Sequence, residues 1–226
     1  MGFIVVCVVA ALAALALAQL WQYFRPGSVQ RAKKIMGRNF FGPEHAFVEL
    51  SIVTKEEWAG ALARVPFSAR TLRACKDTHI LVACLPLSIN ALRSFQPKLF
   101  DNNTSWFLNE NFAAVFGRPS WHLVRRAFVR GTVGLSEAEQ RTYLPEREQV
   151  PLARTVAYLV IAHYLKVGER LFEQVFVRCG DALGQDTLAV GMFGYGRGLS
   201  VRRYWAGYFS GDLGLASERV PDLEVG

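Results

Sequence analysis

The sequence predicts an α+β protein: a single N-terminal transmembrane helix, then one domain with several helices and an antiparallel C-terminal sheet. Three observations carry this. Phe3 to Ala18 is an unbroken apolar run. Between residues 28 and 167 apolar residues recur largely at helical spacing, with capping signals at the expected helix starts. After Gly168 the period drops to two, and turn-like segments separate the runs.

The apolar run comes first. A helix rises about 1.5 Å per residue, so roughly 20 apolar residues cross a hydrocarbon core about 30 Å thick. Phe3 to Tyr23 meets that length, and Trp21 and Tyr23 suit a membrane–water boundary. Arg25, Arg31, Lys33, Lys34 and Arg38 follow, with no acid before Glu44. Ala16-Leu17-Ala18 resembles a signal-peptidase site, but a cleaved signal opens with positive charge, which Met1-Gly2-Phe3 lacks. Positive charge after the run favours a cytoplasmic domain. The expected division is residues 1–24 as transmembrane helix, 25–38 as basic juxtamembrane segment and 39–226 as a single cytoplasmic α+β domain.

Within the soluble part, Ser28 caps a short helix ending near Met36, with Gly37 as its stop. Pro43 suits the first position of another. Thr54-Lys55-Glu56-Glu57 is a capping box, with Trp58, Ala61, Leu62 and Val65 on one face until Pro66 ends the helix. His79 to Leu85 reads as a strand buried on both faces, and Ser88 as the cap of a helix from Ile89 to Arg93. Trp121 to Arg130 is a second strand, and Ser136 opens another capping box.

The longest helix runs from Pro151 to Val167 and places Val156, Leu159, Val160, His163 and Val167 on one stripe. Beyond it, Val175/Val177/Cys179, Leu188/Val190/Met192 and Leu199/Val201 alternate as an antiparallel meander, with turns at 180–186 and 194–198.

Charge narrows the function classes. The chain carries 26 basic and 19 acidic residues, net +7, and residues 1–38 hold five of the basic residues and no acid. The remaining 21 against 19 leave +2 for the domain, which argues against a nucleic-acid-binding body. A lipid bilayer is the expected partner of residues 3–24, with anionic lipids meeting Arg25, Arg31, Lys33, Lys34 and Arg38. Cys75, Cys84 and Cys179, an odd set without close spacing, fit free thiols in a reducing compartment and give no zinc pattern. No cofactor motif is present.

Candidate chemistry starts at Cys75-Lys76-Asp77-Thr78-His79, where thiol, carboxylate and imidazole adjoin. The plainer reading is a helix end passing through a polar turn into a strand. His79, His122 and His163, with Asp77 and Cys84, are candidates for an acid–base or metal site, against ordinary buried histidines bonded to a carbonyl or carboxylate. No HxxxH or HExxH spacing links them. Ser88 lacks the glycines of a nucleophile elbow. The glycines at 191, 194, 196 and 198 precede no helix, so they read as turn residues rather than a phosphate loop. Arg202 and Tyr204 are ligand-binding candidates, with Val201 and Trp205 expected in the core.

The segments IMGRNFFG (35–42), CKDTHILVACLPLSI (75–89), SWHLVRR (120–126) and HYLKVGERLFEQVFVR (163–178) together resemble a family of uncharacterised bacterial proteins, across residues 35–220. The resemblance implies no activity and assigns no site residue. Because it leaves the apolar run outside, a start at Met36 is an alternative. The leading expectation is a membrane-anchored domain that binds a partner or ligand. The alternative is a membrane-tethered hydrolase or metal-dependent enzyme.

Overall fold

The structure, a computed structural model, describes residues 26–45, 56–103 and 105–222. The apolar run, Trp21, Tyr23, Arg25 and Thr54 lie outside them. No helix among the described residues is long and apolar enough to cross a membrane.

In chain order the elements are β1 (Pro26–Ser28), α1 (Val29–Met36), β2 (Phe40–Phe41), α2 (Glu56–Leu62), β3 (Arg64–Ser68), α3 (Ala69–Cys75), β4 (His79–Cys84) and α4 (Ile89–Phe95). There follow α5 (Asn111–Ala114), β5 (Ser120–Arg125), α6 (Glu137–Thr142), β6 (Glu148–Gln149) and α7 (Ala153–Val167). Last come β7 (Phe176–Leu183), β8 (Asp186–Gly191), β9 (Ser200–Trp205), β10 (Leu213–Leu215) and β11 (Glu218–Arg219). The architecture is α+β. One sheet has the order β2-β4-β5-β11-β6, a second β10-β7-β8-β9, and β1 pairs with β3.

Helix α7 lies between the two larger sheets, packing on β4 and β5 from one and on β7 and β8 from the other. It is buried without a break from Thr155 to His163, while Val167 is half-buried. The expected single stripe is therefore corrected: a helix covered on opposite sides needs apolar residues all round. Gly168 ends it in the left-handed conformation, φ +76°.

Local signals set many boundaries. The Ser28 side chain accepts the Arg31 N–H, and Ser88 accepts that of Ala91 at 3.1 Å. The Ser136–Glu139 capping box opens α6, and β4 is buried along all six residues. Other expectations change. Residues 26–38 belong to the folded domain: β1 pairs with β3, and α1 buries Ala32 and Met36 against the core. Pro66 does not end a helix but sits inside β3, in a two-stranded sheet where a missing N–H is tolerated.

The second strand stops at Arg125 rather than Arg130. Strand β7 runs through Leu183, so the expected turn at 180–186 contracts to Gly184-Gln185. Neither large sheet is purely antiparallel, since β2 joins β4 and β10 joins β7 in parallel. Trp205 is 60% exposed, because β9 extends past the buried part of the sheet; Val201 is in the core as expected.

The register of β4 on β5 sorts the polar residues between faces. His79, Leu81 and Ala83 lie opposite Arg125, Leu123 and Trp121, whereas Val82 and Cys84 lie opposite His122 and Ser120. Side chains alternate along a strand, so His79 and His122 face opposite sides of one sheet. The His122 face is the one that meets α7, where Phe41 packs against Tyr158.

Candidate functional site

A solvent-open cleft of about 600 Å3 lies between residues 98–103 and 193–198, with Arg170 and Arg202 at its sides. Its floor depends on Gly198. A Cβ there would stand 2.1 Å from the Phe100 carbonyl carbon, so only glycine allows the approach. That approach lets Leu199 N–H donate to Leu99 O at 2.7 Å and Asp101 N–H donate to Leu199 O at 3.1 Å.

Arg170 enters from the turn after α7. Its guanidinium lies over the rings of Tyr164, Phe193 and Tyr195, 4.6, 4.5 and 5.0 Å from their centroids, and it donates to Phe193 O at 3.3 Å. Ring faces attract the cation and hold it in place. Lys98, Arg197 and Arg202 line the same cleft. Among the described residues, none of these four cations forms an ion pair. The one acid in the lining, Asp101, is turned to internal use: Oδ1 accepts the Asn103 N–H and Oδ2 the Ser200 hydroxyl, both at 2.9 Å. The cleft is thus a concentrated positive surface in a domain of low net charge.

Arg202 reaches this cleft and also covers the Phe176 ring, 5.5 Å from its centroid. Tyr204 does not join it; the ring stacks on Tyr208 at 4.9 Å on the outer face of the sheet. Lys98, Arg170 and Arg197 were not among the site candidates read from the sequence, where Arg170 was expected only to pair with a neighbouring charge. The available signal was basic residues beside the 194–198 glycines, but only folding brings residue 98 to residue 197.

The three histidines are not brought together. Each meets its own glutamate. His79 Nε2 lies 3.3 Å from Glu148 Oε1, His122 Nδ1 is 2.6 Å from Glu218 Oε2, and His163 Nε2 is 3.4 Å from Glu169 Oε2. A single site using all three is therefore corrected. Among the described residues, no three His, Cys, Asp or Glu side chains converge as metal ligands.

Around His79, Arg125 Nη2 donates to Glu148 at 2.7 Å, and Thr78 Oγ1 contacts His79 Nδ1 at 2.8 Å. Burial pushes the Glu148 carboxyl up, but the bonds from His79, Arg125 and Ser217 outweigh it and hold it down at about 2. Asp77 is exposed and is not the partner of His79. The Cys75-Asp77-His79 constellation therefore dissolves into the helix end, turn and strand of the plainer reading. Burial also raises the Cys75, Cys84 and Cys179 thiols above their usual range, which leaves them protonated and poorly nucleophilic.

His163 completes the inner end of an ion-pair group in which Glu169 accepts from Arg126 at 2.5 Å and from Arg38 at 2.7 Å. Burial lowers the His163 value below the ordinary one, and Glu169 only partly offsets it. His122 lies differently: its ring bridges Ser120 Oγ, 2.9 Å from Nε2, and Glu218 on the α7 side of the sheet. Ser120 was not among the sequence candidates, although a Ser-x-His spacing on a strand places both side chains on one face. No protein-family model, curated protein or solved structure matches the chain.

Proposed function

We propose that the domain binds a phosphorylated small molecule of nucleotide size in the cleft between residues 98–103 and 193–198. The observation that carries the reading is the convergence of Lys98, Arg170, Arg197 and Arg202, without ion-pair partners among the described residues, on one cleft. A volume of about 600 Å3 falls in the range of roughly 300–1,000 Å3 typical of small-molecule sites. Arginine forks match phosphate oxygens through paired hydrogen bonds, and Arg170 is already ordered by three rings, so little freedom is left to lose on binding. Tyr195, 86% exposed beside Arg170, offers a ring face for a base or other flat group.

Isothermal titration of the 226-residue chain with ATP, adenosine and inorganic phosphate tests this. ATP is expected to bind, with adenosine and phosphate each much weaker, and affinity should fall as salt rises. Arg170→Ala and Arg197→Ala should each weaken ATP by about tenfold or more, a loss near 1.4 kcal/mol. Absence of ATP binding at millimolar concentration, or binding unchanged in both variants, overturns the reading.

On the same reading, the apolar run at 3–24 tethers the domain to a bilayer with the cleft on the cytoplasmic side. Lys33 and Arg38 already pair with Glu44 and Glu169, which weakens their share of any attraction to anionic lipid. Protease protection in oriented vesicles checks the topology: full protection in cytoplasm-outside vesicles overturns it.

A further inference from the structure

Ser120, His122 and Glu218 stand in the order that activates a hydroxyl. Glu218 Oε2 is 2.6 Å from His122 Nδ1. A carboxylate can only accept, so the neutral ring carries its proton on Nδ1 and turns the Nε2 lone pair outward. Ser120 Oγ lies 2.9 Å from that Nε2, closer than its alternative acceptor, the Arg118 carbonyl at 3.1 Å. The second oxygen of Glu218 accepts from Gln149 Nε2 at 2.9 Å, which fixes the carboxylate plane. Glu218 is buried, the His122 side chain is 21% exposed and Ser120 is half-buried, so the hydroxyl end of the relay is the end nearest solvent.

Two further observations place a ligand there. A small cavity of about 10 Å3 lies against Ser120 and His122, walled by Cys84, Leu85, Arg154 and Tyr158, enough for about one water-sized group. Tyr158, 3% exposed, closes this wall with its side chain. Arg154, half-buried, also forms no ion pair among the described residues. An arginine beside a nucleophile can stabilise a developing oxyanion.

We propose that this is an esterase site, separate from the basic cleft and independent of it, in which the water-sized cavity takes the ester carbonyl oxygen and the acyl and alcohol groups lie on the solvent side of Ser120. Ser120 Oγ attacks the ester carbonyl carbon while its proton passes to His122 Nε2. The tetrahedral adduct collapses, the C–O bond to the alcohol breaks, and the alcohol leaves with the proton from His122. Water then adds to the acyl-Ser120 ester, again giving a proton to His122. Collapse releases the carboxylic acid and returns the proton to Ser120 Oγ. Ser120 and His122 are the catalytic residues; Glu218 and Gln149 are positioning residues that hold the His122 tautomer.

The full 226-residue chain, treated with a fluorophosphonate probe and mapped by peptide mass spectrometry, tests the site. One adduct on Ser120 is expected, together with turnover of p-nitrophenyl acetate. Ser120→Ala should abolish both. His122→Asn should slow labelling on the order of a hundredfold or more, and Glu218→Gln should lower kcat strongly with KM little changed. Ser120→Cys guards against a folding artefact: its circular dichroism should match the parent, and iodoacetamide should alkylate residue 120 faster than it does in the Ser120→Cys/His122→Asn double variant. No adduct on Ser120 in folded protein, an adduct formed equally fast in His122→Asn, or labelling confined to other serines overturns the proposal.

Discussion

Asp181 Oδ2 receives the backbone N–H of Ala153 at 2.5 Å, so a strand of one sheet caps the helix that both sheets enclose. Leu152, at the N-cap position, offers no side-chain acceptor. The cap comes instead from β7, held in place where Gly180 N–H donates to Pro151 O at 2.8 Å. Asp181→Ala should cost about 1 kcal/mol, within the usual range of roughly 0.5–2 for a lost cap, and Asp181→Asn should cost less. Urea unfolding followed by circular dichroism measures both.

Glu148 makes the domain acid-sensitive. Its folded-state value of about 2 lies below the reference 4.5. Between those values the folded protein binds fewer protons than the unfolded chain. The stabilisation is full above the unfolded value and is lost as pH falls through about 2. Its size is about 3 kcal/mol. The denaturation midpoint should therefore drop steeply across that interval, and Glu148→Gln should flatten this part of the profile while lowering stability at neutral pH.

A second, milder slope belongs to His163. Burial depresses its value below the reference 6.5, so the folded state holds the neutral ring and resists protonation. Stability is full above that reference and declines as pH falls below it. His163→Gln should remove the decline that sets in below the reference value of 6.5 without changing the deeper loss due to Glu148. Midpoints measured across pH in both variants separate the two groups.

Arg178 is fully buried and forms no ion pair among the described residues. Its guanidinium donates to Thr187 Oγ1 at 2.5 Å and to Tyr208 O, and Nε has no hydrogen-bond partner among the described residues. Burying an unpaired charge is costly, and an apolar side chain of similar volume can replace it. Arg178→Met is expected to stay within about 1 kcal/mol of the parent. Arg178→Ala, which also opens a cavity, should lose about 3 kcal/mol. Equal losses in the two variants would show that the hydrogen bonds, and not the volume, hold this face together.

Legibility followed the range of the forces involved. The Ser28, Ser88 and Ser136 caps, the Gly168 stop and strand β4 could be read directly, because each depends on residues within a few positions. Pro66 misled because a two-stranded ribbon accepts a residue that a helix rejects. The polar turn at Asp77 misled for another reason: neighbours in sequence looked like a chemical unit, while His79 takes its carboxylate from Glu148.

The candidate sites were less readable still. His122 was visible as one of few histidines, but its meaning rests on Glu218, which is 96 positions away and arrives on β11. That strand exists only because the chain crosses from β10 in one sheet to β11 in the other through buried Ala216 and Ser217. The cleft likewise needs residues 98, 170, 197 and 202 from separate segments.

The sequence by itself determined the α+β class, the Ser28, Ser88 and Ser136 caps and the buried character of β4, since propensity and apolar patterning act over one or two turns of chain. Only the tertiary structure decided that α7 is enclosed on two sides, that each histidine has a different glutamate, and that four cations share one cleft. Strand register and sheet order set those pairings. They arise from burial and hydrogen bonding between segments that no local pattern connects.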